Sequence, residues 1–117
     1  MSDFRKLKVW EKAHALALRT YTVTKSFPRE ETYGMTSQLR RAAVSIGSNL
    51  AEGAGRGTRK EFGYFLRIAL GSTQEIQYQL LLARDLRWIP EVEYSALESS
   101  SREVRAMLDA LRRTLDR

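Results

Sequence analysis

The chemistry that this sequence offers to a ligand comes mainly from its lysine and arginine side chains. The chain has 117 residues, with 20 Lys and Arg against 14 Asp and Glu, which gives a formal net charge of +6 at pH 7. Residues 1–60 hold 12 basic and 5 acidic side chains, whereas residues 61–117 hold 8 and 9. This uneven charge favours binding to phosphate polyanions such as RNA or DNA, and a charged surface that only maintains solubility explains it equally well.

Six basic residues form the candidate nucleic-acid-binding set: Arg40, Arg41, Arg56, Arg59, Lys60, Arg67. Three of them lie beside a predicted helix N-terminus near residue 58, where backbone N–H groups also attract anions. No element of the sequence is suited to reading base edges. We therefore expect any binding to be largely independent of base sequence and steeply dependent on salt.

The glycine-rich segment 53–57 reads Gly-Ala-Gly-Arg-Gly and superficially resembles a nucleotide-binding loop. A Walker loop requires GxxxxGK[ST] after a strand, and the dinucleotide fingerprint also follows a strand. Here a predicted helix precedes the glycines. A helix end followed by a turn accounts for the segment, and we expect no bound nucleotide cofactor.

Catalytic chemistry has little support in the sequence. There are no cysteines, so a thiolate zinc site and a cysteine nucleophile are excluded. His14 is the single histidine, so the two Glu-x-x-His pairs that a di-iron site within a helical bundle requires cannot both be present. We therefore predict a non-enzymatic protein with no metal and no cofactor, and we assign Tyr33, Tyr64 and Tyr78 to the core or an interface rather than to stacking platforms.

Helical periodicity dominates the chain, and no segment alternates apolar and polar residues for long enough to predict a strand. Apolar stripes predict helices over about 5–26, 35–54, 58–87 and 91–116. Gly55 to Gly57 form the predicted turn after the second helix, and Thr58 with Glu61 form a capping box for the third. Short connectors between four amphipathic helices predict an all-α, antiparallel up-down-up-down bundle, with residues 1–117 as a single domain.

Five residues are assigned structural roles around the second and third helices: Asn49, Glu52, Gly53, Gly55, Glu75. Asn49 and Gly53 lie on the apolar stripe of the second helix. Glu52 is placed to pair with Arg56 along one helix face, or with Glu75 and either Arg40 or Arg41 in a network between helices. The third helix has a second apolar side, which suggests an oligomer interface.

The N-terminal residues do not resemble a signal peptide, and no run of residues approaches the ~20 apolar residues of a membrane span. Together with the absence of cysteine, this pattern predicts a cytoplasmic protein without a membrane partner.

Residues 33–71 carry a specific resemblance. The segment Tyr33 to Ile46, followed by Gly47-Ser48-Asn49-Leu50-Ala51-Glu52-Gly53 and by Ala69-Leu70-Gly71-Ser72, closely resembles the bacterial four-helix bundle family encoded within 23S ribosomal-RNA intervening sequences. The accessory variability determinant protein of diversity-generating retroelements looks like a relative. Gly47 is a departure, because many relatives have proline there.

The resemblance implies a four-helix bundle that assembles into a homopentamer with a basic surface suited to RNA or DNA. Combined with the charge asymmetry, it leads to the hypothesis of a homo-oligomer that binds nucleic acid non-specifically. The alternative is a protein–protein scaffold or an accessory subunit of a nucleic-acid-processing complex.

Overall fold

The computed structural model describes residues 3–116 and contains four long helices. They are α1 (Lys8–Thr24), α2 (Met35–Arg56), α3 (Arg59–Asp85) and α4 (Glu91–Leu115), with short 3-10 helices at Phe4–Lys6 and Arg29–Glu31. No strand occurs within the described residues. The predicted all-α class with four helices is therefore confirmed.

The helix boundaries differ from the predicted ones at three points. The first predicted helix is divided, because Leu7 has an extended backbone between the 3-10 helix and α1. α2 continues through Gly55 and Arg56, so the predicted three-residue turn is wrong and Gly57, with φ of 94°, makes the turn alone. α3 ends at Asp85, two residues before its predicted end, whereas α4 begins at Glu91 as predicted, with Pro90 as its N-cap.

The start of α3 is fixed by local chemistry. The Thr58 hydroxyl accepts a hydrogen bond from the backbone N–H of Glu61 at 3.1 Å, which satisfies one of the unpaired donors at the helix N-terminus. The same hydroxyl donates to a carboxylate oxygen of Glu61 at 2.9 Å. The predicted pair of capping residues therefore caps α3.

Each helix packs against two others: α1 against α2 and α4, and α3 against α2 and α4. Contacts at the helix ends give their directions. Arg40, near the start of α2, donates to the hydroxyl of Thr24 at the end of α1, and Arg59, at the start of α3, donates to the carbonyl of Thr114 near the end of α4. α2 and α3 are joined by two residues and fold back on one another. These contacts are consistent with the predicted antiparallel order, which stays a prediction.

The core runs along the axis of a bundle that measures 43 × 23 × 20 Å. Its largest fully buried side chains come from all four helices: Leu16, Leu39, Ile46, Leu50, Leu66, Ile76, Leu80, Leu97, Leu108. Each such side chain stabilises the fold by about 1.5–3 kcal/mol relative to an exposed one. Phe27 and Trp88, with ring centroids 5.5 Å apart, cover one end.

α2 and α3 form the most extensive helix pair. They come closest at Gly53, where a Cβ atom would lie 2.9 Å from Cδ1 of Phe62 and 3.0 Å from Cβ of Phe65. No larger residue fits at this position without displacing α3. The close packing fixes the C-terminal end of α2 beside the N-terminal end of α3.

Candidate nucleic-acid interface

The six predicted binding residues do not form one surface. Arg40 and Arg41 lie in the N-terminal half of α2, and about 22 Å of helix separates Arg41 from Arg56. Arg40 is half-buried, with its guanidinium 4.6 Å from the ring centroid of Tyr21 and bonded to Thr24. Arg40 therefore joins α2 to α1 and is not available as a phosphate ligand.

Arg59 also has a structural partner. Its guanidinium donates at 2.8 Å to the backbone carbonyl of Thr114, one of the last carbonyls of α4. Such carbonyls have no partner within their own helix, so Arg59 caps α4. It thus lies towards α4, whereas its sequence neighbour Lys60 lies on the outer side of α3.

Three of the predicted residues do come together, and they surround an exposed aromatic ring. Arg56, Lys60 and Arg67 line a shallow pocket of about 390 Å³ with Tyr64, Phe65 and Glu61. Lys60, Tyr64 and Arg67 follow one another at spacings of four and three residues, so helical periodicity places them in one row on α3. Arg56 reaches this row from the end of α2.

The three cations of this pocket differ in their availability. Arg56 forms an ion pair with Glu52 at 2.9 Å, lies 4.0 Å from a carboxylate oxygen of Glu61, and has its guanidinium 5.2 Å from the Phe65 ring centroid. Among residues 3–116, Lys60 and Arg67 form neither an ion pair nor a side-chain hydrogen bond. Lys60 and Arg67 are therefore the cations that are free to meet a phosphate.

Tyr64 supplies a flat aromatic surface between these cations. Its side chain is 53% exposed, and its ring meets Phe65 edge-on with centroids 5.1 Å apart. Tyr33 and Tyr78 are exposed as well. None of the three tyrosines is a core ring, so an interface is the part of their predicted assignment that stays a prediction. The exposed ring of Tyr64 is also open to base stacking, the role that the sequence did not favour.

The predicted structural residues are found in several environments. Asn49 is half-buried, and its amide donates to the backbone carbonyl and the hydroxyl of Ser45 at 2.8 and 3.0 Å. The hydroxyl of Ser72 on α3 donates to the same Ser45 oxygen at 2.9 Å, so this chain of bonds links α2 to α3. Gly55 is exposed within α2.

The proposed charge network between helices is wrong. Glu52 pairs with Arg56 on its own helix, which was the simpler of the two expectations. Glu75 is exposed and accepts a long hydrogen bond, 3.5 Å, from the Gln79 amide. Since Arg40 is bonded to α1 and Arg41 donates to Ser37 on its own helix, none of these groups bridges α2 and α3.

The structure reveals a second basic cluster that sequence reasoning missed. Arg102, Arg105 and Arg112 on α4 line a groove of about 490 Å³ against Leu70, Gly71 and Gln74 on α3. In a count of charges along the sequence, the acidic Glu103 offsets one of these arginines. In the structure its carboxylate instead lies 3.5 Å from Nζ of Lys12 on α1. The sequence does contain an indication of this cluster. Arg102, Arg105 and Arg112 are spaced by three and seven residues, which places them on one face of a helix.

Asp109 holds one end of this groove in place. Its carboxylate accepts hydrogen bonds from Arg112 at 2.7 Å and from Arg113 at 2.9 Å. The bond from Arg112 is the main reason that the pKa of Asp109 lies below its ordinary value. The carboxylate therefore stays ionised and restricts the Arg112 side chain.

Within residues 3–116, no three His, Asp or Glu side chains are close enough together to hold a metal ion. None of the helices in this range combines the length and the apolar character that crossing a bilayer requires.

The fold and the exposed cations define a basic four-helix bundle. A family model for the 23S rRNA-intervening sequence protein matches residues 5–110, and the chain belongs to that family. A solved structure from the S23 ribosomal protein family of Bacteroides thetaiotaomicron VPI-5482, described as a protein of unknown function, is 27% identical with a TM-score of 0.83. The match covers 90% of this chain and 95% of the other. Comparison with curated proteins gives no match.

Proposed function

We propose that this bundle binds single-stranded nucleic acid without base specificity through the pocket of Lys60, Tyr64 and Arg67, here called the tyrosine pocket. The observation that carries the proposal is an exposed aromatic ring between two cations that lack partners among the described residues. Base stacking on an aromatic ring and charge neutralisation by Lys or Arg are the two interactions that sequence-independent strand binding requires.

The two interactions have different consequences, and the tyrosine pocket allows them to be separated. Each neutralised phosphate of a single strand contributes about 0.7 to the slope of log affinity against log salt. Stacking on a ring contributes about 1–3 kcal/mol per base and releases no counterions. Lys60 and Arg67 should therefore determine how steeply the affinity falls with salt. Tyr64 should change the affinity without changing this salt dependence.

The experiment is a fluorescence-anisotropy titration of a short labelled RNA of mixed sequence, repeated between about 50 and 200 mM salt. Removing both charges in K60Q/R67Q is expected to reduce the salt slope by about 1.4. Tyr64→Ala is expected to weaken binding about fivefold to a hundredfold without changing the slope. The matched control, R19Q/K25Q, removes two exposed charges from the α1 region.

An equal loss of affinity in K60Q/R67Q and R19Q/K25Q would mean that the net charge, and not the tyrosine pocket, attracts the RNA. Charge reversal of all six predicted binding residues would not be a clean test, because two of them, Arg40 and Arg59, hold helices together. Arg56 is likewise compensated by Glu52.

We further propose that the protein acts as a homo-oligomer, with the family resemblance indicating a pentamer. Support comes from apolar side chains on the outer faces of α2 and α3 that the described chain leaves uncovered: Val44, Ile68 and Tyr78 are 42%, 38% and 63% exposed. A ring of subunits would repeat the tyrosine pocket and add weak contacts through avidity.

The same uncovered side chains support the alternative, an accessory subunit that docks on a nucleic-acid-processing enzyme. That role predicts that the complex with the partner enzyme survives nuclease treatment. The complex should be lost in Tyr78→Ala and retained in K60Q/R67Q. Retention of RNA affinity in Tyr78→Ala together with its loss in K60Q/R67Q favours the nucleic-acid hypothesis.

A further inference from the structure

The groove between α3 and α4 is separate from the tyrosine pocket and shares no lining residue with it. Its basic side is a run of α4 that carries Arg102, Arg105 and Arg112, and about 15 Å of helix separates the first from the last. Its other side is the row Leu70, Gly71 and Gln74 on α3. A volume of about 490 Å³ is in the range of small-molecule sites.

The arginines of this groove are partly held in position by carboxylates. Glu98 lies 3.2 Å from the guanidinium of Arg102, and Asp109 and Asp116 lie 2.7 and 3.3 Å from that of Arg112. Arg105, between them, makes no side-chain hydrogen bond or ion pair with residues 3–116. The groove therefore contains one guanidinium with all five donors unused, flanked by two that are oriented.

The floor of the groove contains a glycine that the folded chain does not require. Gly71 is in the interior of α3, where glycine is less favourable for the helix than alanine. A Cβ atom there would meet nothing within 4 Å, and the residue does not have a positive φ. The missing side chain therefore leaves open space on the α3 side of the groove, whose lining includes Leu70 on α3 and Ala106 on α4.

We infer that the α3/α4 groove binds the phosphate groups of a small phosphorylated organic molecule. Planar guanidinium groups with paired N–H donors match phosphate oxygens, and Arg105 offers one that has no partner among residues 3–116. The organic part of the ligand lies on the floor formed by Leu70, Gly71 and Ala106, over the space that Gly71 leaves. Asp109 is the acidic residue in the groove lining. Its charge is neutralised by Arg112 and Arg113, so it does not repel the ligand.

Two variants test this site by independent means. Arg105→Gln removes the unpaired guanidinium, and Gly71→Leu adds a side chain to the groove lining at a position where a Cβ atom meets nothing within 4 Å. The matched controls are Arg19→Gln, which removes an exposed arginine on α1, and Gly55→Leu, which adds the same side chain at another open helical glycine. Circular dichroism melts confirm that each variant is folded.

The measurement is isothermal titration calorimetry with pyrophosphate and with ADP. Both probes are expected to bind the unmodified chain, with ADP tighter because pyrophosphate lacks an organic part. Arg105→Gln should weaken both by about tenfold or more, as expected for loss of a charge-assisted hydrogen bond. Gly71→Leu should weaken ADP more than pyrophosphate, and both controls should match the unmodified chain.

Three results would overturn the inference: no binding of either probe, equal weakening by Arg105→Gln and Arg19→Gln, or loss of RNA affinity in Arg105→Gln with no binding of ADP. The first two results leave the proposal for the tyrosine pocket unaffected, because the two sites share no lining residue. The third would place RNA on the groove, and the K60Q/R67Q titration tests the tyrosine pocket separately.

Discussion

One missing side chain determines how closely α2 and α3 approach each other. Gly53 lies against Phe62 and Phe65, and the Cβ atom of any other residue would come within 3.0 Å of them. Gly55, two residues later in the same helix, meets nothing within 4 Å. Two glycines of one helix therefore have opposite roles, since only the first is required by packing.

Alanine substitution at these two positions should consequently change stability in opposite directions. Gly53→Ala is expected to lower the free energy of unfolding by about 1–3 kcal/mol, because overpacking exceeds the gain in helix propensity. Gly55→Ala serves as the matched control and should raise it by up to about 1 kcal/mol. Urea denaturation followed by circular dichroism measures both, and a Gly53→Ala protein as stable as the Gly55→Ala protein would contradict the close approach.

At the scale of the helices, the junction between α2 and α3 depends on two residues. Gly57 reverses the chain with a left-handed backbone, and Thr58 caps the first turn of α3. The connection is short, so both neighbouring helix ends are fixed in direction. The tyrosine pocket lies at this junction, with Arg56 from one helix and Lys60 from the other.

Loss of the cap should therefore destabilise the bundle and loosen the tyrosine pocket together. Thr58→Ala is expected to lower the free energy of unfolding by about 1 kcal/mol. Thr22→Ala is the control, because its exposed hydroxyl bonds only to the Leu18 carbonyl within α1 and caps nothing. Hydrogen exchange should show faster opening of the first turn of α3 in Thr58→Ala alone, and unchanged exchange there would argue against the cap.

At the scale of the whole molecule, the two basic sites occupy different parts of the surface. The tyrosine pocket is at one end of the bundle, and the arginine groove lies between α3 and α4. Exposed apolar side chains on α2 and α3, among them Val44, Ile68 and Tyr78, are the candidates for burial against another copy.

Light scattering of the purified protein tests this arrangement. The unmodified chain is expected at a multiple of 13.5 kDa, five times that mass if the family's pentamer applies. Ile68→Glu places a charge on the proposed interface and should reduce the mass towards a single chain. Val92→Glu introduces the same charge at an apolar residue that is 79% exposed on α4 and should have no effect. A monomeric unmodified chain would rule out the homo-oligomer.

Features that depend on residues close together in the chain could be predicted from the amino-acid sequence. The four helices, the Thr58 cap, the left-handed turn at a glycine and the Glu52–Arg56 pair were all predictable, because each arises within a few residues of chain. The boundary errors at Leu7 and Gly55 amount to two or three residues, where local preferences for helix and non-helix are nearly balanced.

The grouping of charged side chains was decided only by the tertiary structure. Arg59 and Lys60 are adjacent in sequence, yet one caps α4 and the other lines the tyrosine pocket. Likewise Arg105 and Glu103 lie on different sides of α4, which hid the arginine groove from a charge count. The partners of a long side chain depend on the rotation and register of the packed helices, and burial of core residues distant in sequence sets both.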